Sequence, residues 1–138
     1  GVAYIPEVQG VFTGALTFAT KFTVGQLLVA TRVAKLPADT SKHFKVEYTY
    51  NSSVLNAFRS GTLDIAIDKN ADTITLNDEY DFLGDSANNT NTTRLNFAVS
   101  LSDEDGNANK ETVIIEATNP TPNANDTATI TFKVRSIA

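Results

Sequence analysis

The 138-residue chain contains no cysteine, no methionine, no tryptophan and a single histidine, His43. The absence of cysteine excludes a disulfide scaffold, a thiolate metal site and a cysteine nucleophile. One imidazole excludes any mechanism that uses two. The length predicts one domain, residues 1–138, because domains typically run to roughly 100–200 residues. A chain of this size buries about two thirds of its unfolded surface, so it needs neither disulfide nor metal to fold.

Positive charge and long apolar runs are also scarce. Eleven Lys and Arg stand against sixteen Asp and Glu, which gives a formal net charge of −5. Such a chain offers no phosphate-neutralising patch, so we expect no nucleic-acid partner. No apolar run approaches the roughly 18–20 residues of a membrane-spanning helix, so we also expect no membrane partner.

Threonine and asparagine are abundant, with 19 and 13 copies, a bias typical of β-strands and turns. In the clearest strand Phe44, Val46 and Tyr48 alternate with polar residues, as on a sheet with one buried and one wet face. Four segments alternate in this way: Lys42–Tyr50, Gly61–Asp68, Arg94–Leu101 and Thr127–Ile137. Asp72–Leu76 is predicted as a short partner strand, and Glu111–Thr118 as a strand whose run Val113–Ile115 is apolar on both faces.

The N-terminal third has a different pattern. Val11–Ala19 and Phe22–Val33 are apolar and Thr-rich, and they predict two or three further strands. Phe22–Lys35 also has near-helical spacing, but its β-branched residues and flanking glycines favour a strand. Ser52–Ser60 is compatible with one short helical turn.

The connections carry turn chemistry. Lys69–Ala71 has turn character, and Asp105-Gly106 marks a hairpin between two strong strands. Asn119–Asn123 forms a longer loop, and Gly84–Thr93 is rich in Asn and Thr. Strands at regular spacing with turns between them predict an all-β domain, an antiparallel β-sandwich with a β-barrel as the alternative.

The sequence contains few candidate catalytic residues. His43 opens a strand and is interpreted as a surface residue. The acidic run Asp78–Asp81 is interpreted as a solvated turn, because glycoside hydrolysis needs two carboxyls facing each other across a groove. No phosphate-binding loop, nucleophile elbow or zinc-protease motif is present. We therefore predict no enzyme activity, no catalytic residues and no cofactor.

Asp103–Asn109 is the best candidate for a metal site, because hard oxygen ligands at alternating positions suit Ca²⁺. An EF-hand loop has glycine sixth and glutamate twelfth, whereas here Gly106 is fourth and Ile114 is twelfth. A polar hairpin tip explains the same residues. We predict no metal and leave calcium binding as the alternative.

Most aromatic residues fall on strand faces assigned to the core. Phe58, Tyr80 and Phe82 are the exceptions, and we place them in loops. There they would form a satellite core or contact a partner, and the first interpretation is preferred.

The apolar segment Gly1–Phe22 admits two interpretations. It supplies ordinary strands of the same sandwich, or it is an N-terminal arm that packs on or swaps with a neighbouring subunit and covers a sheet edge. The candidate interface residues are Val2, Tyr4, Ile5, Val8, Val11, Phe12, Phe18 and Phe22.

The layout of the chain from Phe44 to Ile137 resembles small β-sandwich domains of tailed-bacteriophage virion proteins, found in tail fibres and head-decoration proteins. The segments that carry the resemblance are Phe44–Tyr50, Arg59–Ile65, Asp78–Tyr80, Phe97–Ser100, Val113–Thr118 and Thr129–Arg135. Domains of this kind are typically non-catalytic and often trimeric.

The resemblance implies a structural virion protein, a capsid decoration or cement protein that stabilises the head. Its partners would be its own copies, with a trimer favoured, and the major capsid or other virion proteins. It would be assembled in the host cytoplasm and end in the virion. The alternatives are a tail-fibre or adhesin domain that binds host-surface glycan, and a bacterial surface or pilus module.

Overall fold

The computed structural model describes residues 15–23, 27–38, 42–52, 58–82, 95–103, 110–119 and 127–137. Strands account for most of them, and the described part contains no α-helix. The all-β prediction is confirmed. In chain order the strands are β1 (Ala15–Thr23), β2 (Thr31–Pro37), β3 (His43–Ser52), β4 (Phe58–Asp68), β5 (Thr73–Phe82), β6 (Asn96–Ser102), β7 (Thr112–Thr118) and β8 (Thr127–Ile137).

The strands form two open sheets. One has five strands in the order β1-β8-β3-β4-β5, and the other has three in the order β2-β7-β6. Every neighbouring pair is antiparallel. One buried core takes residues from both sheets, so the domain is a β-sandwich and the barrel alternative is wrong.

Long-range pairing organises the sandwich. The first strand pairs with the last, β1 with β8, and the second with the last but one, β2 with β7. As a result β8 lies between β1 and β3, although β3, β4 and β5 follow one another as simple hairpins. Within the larger sheet the last residues of β1, β3 and β5 and the first residues of β4 and β8 therefore lie at the same end, since neighbouring strands alternate in direction.

The core is built from the alternating residues that the sequence indicates. Phe44, Val46, Leu63 and Ile65 from the larger sheet are fully buried, as the period-two pattern predicts. Aromatic rings link the two sheets: the Phe97 ring centroid lies 4.7 Å from that of Tyr48 and 6.3 Å from that of Phe132, both edge-on. Such edge-to-face pairs add about 0.5–1.5 kcal/mol each to the area they bury.

A bulge shapes β2. Its register against β7 shifts between Arg32 and Ala34, so Val33 is an extra residue. Val33 and Ala34 are consecutive and both fully buried, which strict alternation would not allow. The bulge explains why the apolar pattern of this segment lacks a clear period.

Several predicted boundaries are wrong. The N-terminal third supplies two of the two or three predicted strands, but Phe22–Val33 is not one strand: β1 ends at Thr23, a short turn includes Leu27, and β2 begins at Thr31. The alternative of a helix over Phe22–Lys35 is wrong. Asp78–Asp81 is not a solvated turn but part of β5. Phe58, Tyr80 and Phe82 likewise belong to strands rather than loops. Of the segment expected to hold a helical turn, residues 53–57 lie outside the described part of the chain.

The β4–β5 hairpin follows its sequence closely. Lys69–Asp72 forms the turn, as predicted for the first three of these residues. The Asp68 Oδ1 accepts hydrogen bonds from the backbone N–H groups of Asn70 at 3.0 Å and Ala71 at 3.2 Å. Asp72 takes a left-handed conformation with φ of 52°, which aspartate tolerates better than most residues.

The N-terminal segment supplies one ordinary strand of the sandwich. β1 is an edge strand of the larger sheet and pairs along its whole length with β8. Among the candidate interface residues, Phe18 and Phe22 are in register with Phe132 and Ala128. The remaining candidates, Val2, Tyr4, Ile5, Val8, Val11 and Phe12, lie outside the described residues.

Candidate functional site

A buried arginine lies at one corner of the sandwich. Arg59 is the second residue of β4 and is only 1% exposed, in phase with the core residues Leu63 and Ile65. Removing a guanidinium from water costs several kcal/mol unless the charge is paired and its donors are satisfied. The contacts of Arg59 show how this cost is offset.

Two strands and the residue before β6 supply hydrogen-bond acceptors to Arg59. Its Nε donates to the Tyr48 Oη on β3 at 3.0 Å, and one terminal nitrogen donates to an Asp78 carboxylate oxygen on β5 at 2.9 Å. The other terminal nitrogen donates to the backbone carbonyl of Leu95, directly before β6, at 2.8 Å. One side chain therefore ties β3, β4 and β5 to the start of the smaller sheet.

Tyr48 and Asp78 complete a closed triangle with Arg59. The Tyr48 hydroxyl accepts from Arg59 and donates to the second Asp78 oxygen at 3.0 Å. Both carboxylate oxygens of Asp78 are thus bonded, one by a cation and one by a neutral hydroxyl. Charge-assisted bonds of this kind are about twice as strong as neutral ones.

Burial controls the protonation of this triangle. It raises the pKa of Tyr48 far above its ordinary value, against the opposing effect of the Arg59 charge. Burial also raises the pKa of Asp78, while the hydrogen bond from Tyr48 and the charge of Arg59 oppose that rise. Tyr48 consequently stays protonated in the folded state and keeps its donor role.

Tyr80 closes the cluster on the solvent side. Its ring centroid lies 3.6 Å from the guanidinium carbon of Arg59, a stacked cation–π contact. The ring covers the guanidinium, yet Tyr80 itself remains 49% exposed. It is the one aromatic residue among the exposed large hydrophobic residues of the described chain.

A glycine makes room for this arrangement. Gly61 lies between Tyr48 and Tyr80 in the β3-β4-β5 register. A Cβ at Gly61 would lie 2.6 Å from the carbonyl oxygen of Glu79 and 2.8 Å from the Tyr48 ring. Only glycine therefore lets the Tyr48 ring lie across β4 and reach Asp78 and Arg59.

Sequence reasoning missed Arg59, although a signal was present. Extending the alternation of Gly61–Asp68 backwards by one step assigns Arg59 to the buried face, and extending Ile74 and Leu76 forwards does the same for Asp78 and Tyr80. A cation and an acid on inward positions of adjacent strands indicate a buried pair. The assumed turn and loop at these positions hid that pattern.

His43, the other titratable candidate, lies in an exposed environment. His43 Nε2 lies 3.4 Å from an oxygen of Asp64, and both side chains are more than a third exposed. This exposure agrees with the interpretation of His43 as a surface residue. Exposed pairs of this kind contribute at most about 1 kcal/mol to stability.

At the calcium candidate, the backbone N–H of Lys110 donates to Asp103 Oδ1, and Lys110 has a φ of 49°. The Lys69 ammonium donates to the Lys110 carbonyl at 2.7 Å. Asp103 thus takes part in the turn, while residues 104–109 lie outside the described part. Within that part no three His, Cys, Asp or Glu side chains converge on a possible metal position.

A second exposed apolar feature precedes β2. Leu28 is 44% and Val29 70% exposed, whereas the adjacent Leu27 is fully buried. The backbone N–H of Asn119 donates to the Leu27 carbonyl at 2.6 Å, and Thr31 Oγ1 donates to the Val29 carbonyl at 3.0 Å. The loop is therefore anchored while it presents two apolar side chains to solvent.

Fold and site together define an antiparallel β-sandwich with an internally bonded arginine cluster at one corner. Comparison with known proteins found no matching family model and no curated protein of significantly similar sequence. In the described part of the chain no helix has the length and hydropathy needed to cross a bilayer.

Proposed function

We propose that this protein is a non-enzymatic structural component of a bacteriophage virion, a decoration or cement protein that binds the capsid surface as a homo-oligomer, with a trimer as the favoured state. The proposal rests first on the layout-level resemblance of its strands to such domains. Two features of the sandwich support it.

The observation that carries the proposal is the position of β1. Among the described strands it lies at an edge of the larger sheet, and half of the residues directly before it in sequence, 1–14, are hydrophobic. An edge strand offers backbone hydrogen bonds to a neighbouring chain, and apolar residues beside it add buried area. Both suit contacts between subunits or with a capsid lattice.

The arginine cluster is also compatible with a structural role. The polar groups of Arg59, Tyr48 and Asp78 bond one another and the Leu95 carbonyl. Their contacts brace the corner where β5 meets the smaller sheet. An exposed particle component benefits from such bracing, and its lack of cysteine and methionine removes the most readily oxidised side chains.

The oligomer is tested by light scattering or mass photometry of the full chain. We expect a trimer that is lost when residues 1–10 are replaced by a Gly/Ser linker of equal length. His43→Ala, a surface change on β3, serves as the control and should leave the mass unchanged. A monomer in the full chain, or a trimer that survives the replacement, contradicts the proposed interface.

Particle binding is tested with phage heads assembled without the gene for this protein. Purified protein should cosediment with these heads and raise their resistance to heat. Binding to tail fibres instead would favour the alternative, a tail-fibre or adhesin domain. The neighbouring genes give a fast independent check, because a capsid gene and a tail gene point to different locations.

A further inference from the structure

We propose that the outer face of the larger sheet is a self-association surface, on which a second copy of this chain packs face to face about a two-fold axis parallel to the strands. The inference goes beyond the virion role and does not depend on it. It rests on how charge is distributed over β8, β3, β4 and β5, which are neighbours in that order.

The basic side of this face lies on β8. Val134 is buried in the core, so Lys133 and Arg135 on either side of it point outward, and both are exposed. On the neighbouring β3, Glu47 is in register with Lys133, and Lys45 is in register with Arg135. The outward positions of β8 thus carry two positive charges, whereas the Lys and Glu of β3 balance each other.

The acidic side lies on β4 and β5. Asp64 and Asp68 alternate with the buried residues of β4 and point outward. Glu79 and Asp81 are exposed on β5 and are in register with outward positions of β4, on the opposite face from the arginine cluster. Neither strand has an outward Lys or Arg, so the two strands carry four uncompensated carboxylates.

The two sides are too far apart to neutralise each other. β8 and β5 are separated by β3 and β4, and three strand spacings of about 4.8 Å put them about 14 Å apart. Exposed charges are screened over about 8 Å at physiological ionic strength. The face is therefore polarised, with a positive margin on β8 and a negative margin on β5.

A second copy of the chain is complementary to this polarity. A two-fold axis parallel to the strands, between β3 and β4, places β8 of each copy opposite β5 of the other, so the favourable pairing occurs twice. Lys133 and Glu79 lie in one row of the register, through Glu47 and Thr62, so this axis brings them directly opposite each other. An axis perpendicular to the strands would place each strand against its own copy and bring like charges together.

The uncharged part of the face allows two sheets to approach. Apart from His43 and Phe58, the uncharged outward residues of the described strands β8, β3, β4 and β5 are Thr, Ser, Asn and Ala. Four strands of about ten residues give a face of roughly 600 Å². A typical stable interface buries about 800 Å² per partner, so we expect a weak contact that depends on ionic strength.

Sedimentation velocity of the full chain at low and high salt measures this contact. The screening length is about 30 Å at 0.01 M salt and about 3 Å at 1 M. We expect the mass at low salt to be at least twice the mass at high salt. The mass at high salt tests the trimer proposed above, and the ratio of the two masses tests this face, so the two proposals fail separately.

Two charge-reversed variants test which strands meet. Lys133→Glu, Arg135→Glu makes β8 negative, and Glu79→Lys, Asp81→Lys makes β5 positive. Each variant alone should keep its high-salt mass at low salt, because β8 and β5 then carry the same sign. An equimolar mixture should double in mass again, because each β8 then faces a β5 of opposite charge on the other variant.

The matched control is Arg32→Glu, Lys35→Glu on β2 of the smaller sheet. It changes the net charge by the same amount as the β8 variant, and it should still double in mass at low salt. Thermal melts check that every variant is folded, and the salt comparison on the wild type does not depend on any of them.

The proposal is overturned if the wild-type mass is the same at both salt concentrations, if either charge-reversed variant doubles alone, or if their mixture does not double. Loss of doubling in the control would also overturn it, because net charge rather than this face would then govern association. Binding of heparin to β8 or of polylysine to β5 without any doubling would assign the face to a different charged partner.

Discussion

At the scale of single residues, the main feature of this protein is the buried charge of Arg59. Its buried charge is tolerated because the guanidinium donates hydrogen bonds to Tyr48, Asp78 and the Leu95 carbonyl, and Tyr80 covers it. A buried pair of this type often contributes little net stability relative to an apolar replacement of the same shape, whereas removal of one partner leaves the other uncompensated. Removing one partner should therefore cost more stability than replacing both partners with apolar residues.

We predict that Arg59→Ala lowers the free energy of unfolding by about 3–5 kcal/mol, because Asp78 and the Tyr48 hydroxyl lose their partner in a partly buried site. The double variant Arg59→Met, Asp78→Leu should recover much of this loss, since it removes both charges and fills the space. Urea denaturation followed by circular dichroism measures the two effects.

Asp64→Asn is the matched control for this experiment. It breaks the exposed contact with His43 and should change stability by less than about 1 kcal/mol. Equal losses in Arg59→Ala and Asp64→Asn would show that burial does not control the energetics of the pair.

Tyr48 makes stability dependent on alkaline pH. Its folded pKa is raised above the unfolded value near 10, so its contribution is fully present below pH 10 and is lost as the pH rises towards the folded pKa. In that window the unfolded state binds fewer protons, and stability falls by up to about 1.4 kcal/mol per pH unit. We predict that between pH 10 and 12 the free energy of unfolding of Tyr48→Phe falls less steeply than that of the wild type.

Urea midpoints measured at several alkaline pH values for the wild type and Tyr48→Phe test this dependence. Tyr80→Phe is the matched control, because it removes a hydroxyl group from a half-exposed tyrosine and leaves Tyr48 in place. If the urea midpoints of the wild type and Tyr48→Phe fell in parallel with rising pH, the decline would not be caused by Tyr48.

At the scale of elements, the β3-β4-β5 part of the larger sheet depends on Gly61. The strand pattern around it is regular, yet the position must stay open because the Tyr48 ring crosses β4 there. Glycine in a strand interior is usually a cost, and here that cost is offset by the contacts of the crossing ring.

We predict that Gly61→Ala lowers the free energy of unfolding by about 1–3 kcal/mol, through overlap of the new methyl group with Glu79 backbone and the Tyr48 ring. Ala66→Ser, on an exposed position of the same strand, should stay within about 0.5 kcal/mol. Chemical denaturation of both variants gives the comparison. If Gly61→Ala left the free energy of unfolding unchanged, the Tyr48 ring would be able to move away from the new methyl group without loss of stability.

At the scale of the whole molecule, pairing between strands far apart in the sequence closes the fold. β8 pairs with both β1 and β3, so the last strand joins the first strand to the central hairpins. Pairings of such high sequence separation form slowly, because the loop-closure entropy precedes the gain from contacts. The resulting core takes residues from both sheets.

We predict that the melting temperature is unchanged when EDTA or millimolar calcium is added. The Asp103 carboxylate already accepts a backbone hydrogen bond within its turn, and stability should come from the apolar core. Differential scanning fluorimetry in both conditions tests this. A calcium-dependent rise that Asp103→Asn abolishes would establish the alternative, a calcium site in that hairpin.

Some features of this protein follow from the sequence alone. Alternation predicted the inward faces of β3, β4 and β8, because a sheet with one wet face must place apolar residues at every second position. Turn chemistry predicted the Lys69–Ala71 turn for a similarly local reason. These are interactions between residues close together in the chain, and the residue types are enough to specify them.

The tertiary structure alone decided the sandwich over the barrel, the insertion of β8 between β1 and β3, and the assembly of the arginine cluster. Tyr48, Arg59, Asp78 and Leu95 come from four separate stretches of the chain. Alternation assigns each residue to a face but does not say which strands become neighbours. Strand order is set by the packing of all the faces at once, and Arg59 can be buried only because that order brings its partners to the same corner.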